Sequence, residues 1–179
     1  DDILSGSSTN PNGTERFRGM AGDDTIDGRG GTNRAEYRSD PAGVIVNLSG
    51  SAITVGTVTV DSGKALDGWG DTDTLNSIQE VRGSLHDDVI VGSTANNRFL
   101  IDAGNNTLDG GDGIDEVFYR LRQPNGVTVD LGAGTATNGG GGTDVLQNIE
   151  NVDGSRLDDV ITGDGEVNDL DGRDHIVKA

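Results

Sequence analysis

Residues 110–118 read GGDGIDEVF: three glycines and two aspartates crowd into six residues before the chain turns to Glu-Val-Phe. Asp115 is a hard oxygen ligand. Glycine permits positive φ and lets backbone carbonyls approach a shared point. Oxygens of this kind suit a hard divalent cation. The chemistry suggested is cation binding by a tight loop that feeds a very short strand.

The same nine-residue phase recurs. From Gly83 the chain divides into GSLHDDVIV, GSTANNRFL, IDAGNNTLD and GGDGIDEVF; earlier come GMAGDDTID (19–27) and GRGGTNRAE (28–36), and later GSRLDDVIT (154–162). The sixth place holds Asp24, Asn33, Asp88, Asn97, Asn106, Asp115 and Asp159, and these are the candidate metal ligands. The eighth place holds Ile26, Ala35, Ile90, Phe99, Leu108, Val117 and Ile161. Side chains alternate along a strand, so a six-residue turn plus a three-residue strand buries one apolar residue, the eighth.

Two such units make an 18-residue coil with turns on opposite sides, and unit n stacks on unit n+2, one strand spacing of ~4.8 Å away. Asp88 then stacks with Asn106, and Asn97 with Asp115. Bare carboxylates in such a ladder repel, and a divalent cation between successive turns removes the repulsion. Asn brings an oxygen but no charge, so mixed pairs should bind more weakly, or form side-chain amide ladders instead.

A longer period overlies this one. TDTLNSIQEVRGSLHDDVIVG (72–92) matches TDVLQNIENVDGSRLDDVITG (143–163), PAGVIVNL (41–48) matches PNGVTVDL (124–131), and Tyr37 matches Tyr119. The chain reads as one solenoid over 1–179: a first lap over 1–86 with an insertion at about 49–71, a second over 87–157, and a partial third over 158–179. GVIVNL and GVTVDL read as strands. In TDTLNSIQEV and TDVLQNIENV, Leu75, Ile78, Val81 and Leu146, Ile149, Val152 recur every third residue, as in short strands separated by bends.

Composition narrows the function. Of 179 residues 30 are glycine, apolar residues are 31% and aromatics 3%, too little for a conventional large core. The net charge of −18 opposes binding to nucleic acid or to anionic membranes. No apolar run approaches the ~20 residues of a membrane-spanning helix. Without cysteine there is no disulfide or thiolate site. The start at DDIL, without Met, reads as the back half of a repeat and suggests a fragment or a processed product.

GGDGIDEVF fits the G-G-x-G-x-D-x-U-x nonapeptide of RTX (repeats-in-toxin) proteins, and GMAGDDTID fits with Met20 for the second glycine. The chain resembles these hemolysin-type calcium-binding proteins of bacteria over nearly its whole length. The resemblance implies an all-β fold, a right-handed parallel β-roll or β-helix solenoid with calcium ions between its turns. It extends coordination to the loop residues Gly19, Ala21, Gly110 and Asp112. It also implies a non-enzymatic module of a secreted bacterial protein, exported by type I secretion machinery and folded by extracellular calcium, that supports or presents a neighbouring domain. Metal binding would then supply the folding free energy.

Two other readings compete: an adhesin or carbohydrate-binding module using Trp69 in LDGWGD as a sugar contact, with a polysaccharide or cell-surface glycan as partner, and part of a polysaccharide epimerase or lyase. Asp67, Asp71 and Asp73 beside Trp69 are candidates for an extra cation loop, although they meet no EF-hand pattern. His86 and His175 fall in turns; His86 matches Leu157 and so marks no fixed site. No nucleophilic triad is apparent.

Overall fold

The computed structural model describes residues 1–9, 13–119, 124–172 and 177–178. The described residues form strands and turns without a helix. The strands are β1 (Ile3–Ser5), β2 (Thr14–Phe17), β3 (Thr25–Asp27), β4 (Thr32–Glu36), β5 (Ile45–Asn47), β6 (Ile53–Val55), β7 (Val58–Val60), β8 (Lys64–Leu66), β9 (Thr72–Asn76), β10 (Glu80–Arg82) and β11 (Val89–Val91). Then follow β12 (Arg98–Leu100), β13 (Thr107–Asp109), β14 (Glu116–Phe118), β15 (Thr128–Asp130), β16 (Thr135–Thr137), β17 (Thr143–Gln147), β18 (Asn151–Asp153), β19 (Val160–Thr162), β20 (Asp169–Asp171) and β21 (Val177–Lys178).

Successive units alternate between two sheets, and units 18 residues apart pair in parallel: Val89 with Thr107, Arg98 with Glu116 and Asn151 with Asp169. The eighth-place residues stack in columns between the sheets, Ile26, Ala35, Ile90, Phe99, Leu108, Val117 and Ile161 each at most 1% exposed. One buried side chain per nine residues makes a narrow core, which is how so little apolar residue suffices. Ile78 and Val81, and Ile149 and Val152, join it from bends and short strands as their spacing suggested.

The sheets are unequal. One runs β1-β3-β9-β8-β5-β11-β13-β17-β16-β15-β19-β21, the other β2-β4-β10-β12-β14-β18-β20. In each lap β5 (or β15) pairs ahead with β11 (or β19), and the chain then doubles back to fill the gap behind it. It does so through β8 and β9, or β16 and β17, so that β8 and β16 are antiparallel to both neighbours. This corrects the expectation of a purely parallel coil. The cause lies in Gly63 and Gly134, at φ +67° and +66°, which reverse the chain where a unit with a parallel strand would continue it.

The back-fold also shortens the insertion. Residues 64–71 pair as residues 135–142 do, so the first lap's extra element is the antiparallel hairpin β6–β7, which stands outside the two sheets. Among the described residues each lap thus adds five strands to one sheet and three to the other, or about 24 Å against about 14 Å at ~4.8 Å per strand. The larger sheet must bow around the smaller one. On the outer face of the smaller sheet lie clefts of about 370 and 330 Å³, lined in part by Glu116, Asn151, Asp153 and Asp169, and by Glu80 and Arg98.

Candidate metal centre

The turns bring the sixth-place residues together as their spacing predicts. Each side chain points inward along the stack. One oxygen accepts the backbone N–H of its counterpart one rung nearer the N-terminus. Asn106 Oδ1 accepts from Asp88 N at 3.0 Å, Asp115 Oδ1 from Asn97 N at 2.6 Å, and Asp24 Oδ1 from Asp2 N. Asp88 caps Val44 N, and Asp159 caps Val127 N, where apolar residues hold the sixth place. On the opposite side Gln79 caps Asn33 N and Glu150 caps Asp115 N. In each case the side chain satisfies a backbone donor at the entry to a strand.

What differs from turn to turn is the other oxygen. In the Gly83-Ser84 and Gly92-Ser93 turns the serine closes the site. Ser84 N and Oγ donate to Asp88 Oδ2 and Oδ1 at 2.8 and 2.6 Å, and Ser93 N and Oγ both donate to Asn97 Oδ1. Asn97 Nδ2 donates to Gln79 O, and Asn106 Nδ2 to Asp144 Oδ1 at 2.7 Å. The ligand role expected of Asp88, Asn97 and Asn106 therefore has no orphaned oxygen behind it.

In GGDGID and GMAGDD no serine stands at the second place. That residue is left-handed instead, Gly111 at φ +89° and Met20 at +69°. Asp115 Oδ2 and Asp24 Oδ2 are buried without a hydrogen-bond partner, as are Asp159 Oδ2 and Asn33 Oδ1. Asp159 Oδ1, in a GS turn, accepts from Ser155 Oγ at 2.6 Å. A buried carboxylate oxygen without a donor is costly, and a hard cation removes that cost. The donor set therefore fits Ca²⁺ best at Asp24, Asp115 and Asp159.

The glycine that opens each unit has a steric reason. A Cβ on Gly19 would lie 2.1 Å from Asp24 Oδ2; on Gly110, 2.6 Å from Asp115 Oδ2; on Gly154, 2.3 Å from Asp159 Oδ2. The sixth-place side chain folds back over that bare Cα. Ala21 and Asp112 lie exposed in their turns, so no buried Asp112 carboxylate joins the ladder.

Burial pushes the carboxyls of Asp115 and Asp88 up to about 6, and Glu150 and Asp109 add repulsion at Asp115. Among the described residues no three of His, Cys, Asp and Glu converge enough to hold a metal by side chains alone. Coordination here would combine a carboxylate with backbone carbonyls. His86 is exposed in its turn, and His175 lies outside the described residues. Trp69 is 37% exposed beside Asp67.

Sequence reasoning missed Asp144, and took Asp73 only as part of a loop beside Trp69 and not as a member of the ladder. Both are sixth-place residues, in GWGDTDTLN (68–76) and GGGGTDVLQ (139–147), and both are almost fully buried. Their Oδ1 atoms accept from Asp24 N and Asn106 N, and their Oδ2 atoms from Tyr37 and Tyr119 hydroxyls at 3.2 and 2.8 Å. The signal was present as GGGGTDVLQ, in phase with the nonapeptide. A comparison with protein-family models finds no match.

Proposed function

We propose that the chain is a calcium-binding module of the RTX type, a right-handed β-roll from a secreted bacterial protein. It folds on meeting extracellular calcium and supports or presents a neighbouring domain. It has no catalytic role of its own. The observation that carries this reading is the set of second carboxylate oxygens left without donors at Asp24, Asp115 and Asp159. The other carboxylates of the ladder are closed by serine or tyrosine.

When bound, calcium supplies charge neutralisation between stacked turns. The chain's own part is to hold one carboxylate oxygen on a backbone N–H, turn the other toward the loop, and leave room for it over a glycine. An acidic chain with narrow apolar columns stays extended where calcium is scarce, as export requires, and gains its folding free energy where calcium is plentiful. Among the described residues no helix is long and apolar enough to cross a membrane.

Isothermal titration with Ca²⁺ tests the reading. Asp115→Ala should weaken binding by roughly tenfold or more, because ligand charge sets calcium affinity, while His86→Ala should leave it unchanged. Equal effects of the two would refute the assignment.

A further inference from the structure

The two laps differ at one buried cluster. In the second lap Asn138 Nδ2 donates to Asp144 Oδ1 at 3.0 Å and to Gly104 O at 2.8 Å. Asn138 Oδ1 accepts from Gly142 N at 3.0 Å. The amide thus joins Asp144 to the neighbouring turn, and the network closes with one carboxylate in it.

The same turn in the first lap holds Asp67. Its backbone makes the same bonds: Asp67 N donates to Asp71 O at 3.0 Å where Asn138 N donates to Gly142 O, and Asp67 Oδ1 accepts from Asp71 N at 2.8 Å. The Oδ2 atom differs. A carboxylate has no proton to give Asp73, and Asp67 Oδ2 is left buried with no hydrogen-bond partner in a residue 3% exposed. A second carboxylate stands beside it: Asp40 Oδ2 accepts at 3.0 Å from Gly68 N, the peptide nitrogen that follows Asp67. In the second lap the sequence has Gln123 before Pro124, where Asp40 precedes Pro41.

Asp40, Asp67 and Asp73 are 5%, 3% and 0% exposed. Among the described residues no Lys, Arg or His forms an ion pair with any of them. Burial, with mutual repulsion added, pushes Asp40 up to about 7 and Asp73 up to about 6. Three buried carboxylates thus crowd together where the second lap pairs the Asp144 carboxylate with the neutral amide of Asn138.

We propose that Asp40 and Asp67 form a separate binding site for a calcium-type divalent cation in the first lap. Asp67 Oδ2 and the Asp40 carboxylate are its ligands, and Asp73 is the adjoining negative charge. Asp73 itself is committed to Asp24 N and the Tyr37 hydroxyl. Two carboxylates suffice, because Ca²⁺ completes an irregular shell with carbonyls and water. This site does not depend on the repeat turns binding calcium, since those would use Asp24, Asp115 and Asp159.

Trp69 reports on the site selectively. It is the only tryptophan, and its backbone N–H donates to Asp67 Oδ1 at 3.0 Å. Terbium bound at Asp67 will luminesce when Trp69 alone is excited, and Ca²⁺, not Mg²⁺, will quench that emission by displacement. Asp67→Asn and Asp40→Asn each reduce the emission by roughly tenfold, as loss of a charged ligand should. His86→Ala, in an exposed turn outside both sets of carboxylates, leaves it in place. Asp67→Asn keeps the fold, because Asn138 already occupies the matching slot, and circular dichroism checks that it does.

Emission that survives Asp67→Asn in a folded protein overturns the proposal. Emission lost only in Asp24→Asn overturns it too, as does a wild-type protein that shows none, in which a shared proton, not a cation, would hold the cluster.

Discussion

Asp115 and Asp88 occupy the same place in their turns and differ in one neighbour. Asp88 has Ser84 two bonds deep in its carboxylate; Asp115 has Gly111 at that position and an orphaned Oδ2. Ser84→Ala should therefore destabilise the calcium-bound protein by only about 0.5–1.5 kcal/mol, the worth of one hydrogen bond, because Asp88 Oδ1 keeps Val44 N and Oδ2 keeps Ser84 N; urea melts in calcium check this. Met20 holds φ +69° where Gly111 sits in the related turn. Met20→Gly should raise stability by about 1 kcal/mol through relief of left-handed strain. Gly110→Ala should cost about 1–3 kcal/mol by overpacking, since its Cβ would meet Asn148 O at 2.0 Å. Gly50→Ala, with nothing within 4 Å, should be neutral.

The nonapeptide phase made the buried eighth-place column and the Asp-over-Asn pairings legible before any coordinates. The Ser/Gly distinction was not, because both residues read as turn formers. What separates Asp88 from Asp115 and Asp159 is the backbone N–H of Ser84 on Oδ2, and that is a matter of local turn geometry.

The informative element is the reversal after β5 and β15. GVIVNL and GVTVDL are strands, as their alternation implied, but pattern alone gave no direction for the strand that follows. Lys64-Ala65-Leu66 and Thr135-Ala136-Thr137 are too short and mixed for periodicity to orient them. Register explains their small central residue: Ala65 pairs with Asp73 and Ala136 with Asp144, so the inward place opposite a buried carboxylate is only a methyl wide.

Because Gly132-Ala133 does in the second lap what residues 49–62 do in the first, replacing 49–62 with Gly-Ala should remove the hairpin and leave the fold intact. An unchanged far-ultraviolet spectrum and calcium response would confirm this; collapse of the β signal would show that the hairpin is part of the scaffold.

For the whole molecule, five strands against three per lap should give a curved rod with the smaller sheet on the inside. Small-angle scattering should fit a bent rod better than a straight cylinder of equal length. Charge dominates its stability. Asp40, Asp73, Asp88 and Asp115 have folded values of about 6 to 7 against an ordinary 3.8, so the folded state binds protons that the unfolded chain releases. In chelator, stability should therefore rise as pH falls from about 7 toward 3.8, and be lost as pH rises through 6 to 7. With saturating calcium the trend should reverse, because protons then compete with the ion. Melting temperatures across that window, with and without calcium, separate the two regimes.

The most direct measurement is far-ultraviolet circular dichroism of the purified chain in chelator at neutral pH, titrated with Ca²⁺ against a Mg²⁺ control. Little ordered signal in chelator, a cooperative rise of β signal with Ca²⁺ and none with Mg²⁺ is the predicted result. A full β spectrum in chelator that calcium leaves unchanged would contradict the account.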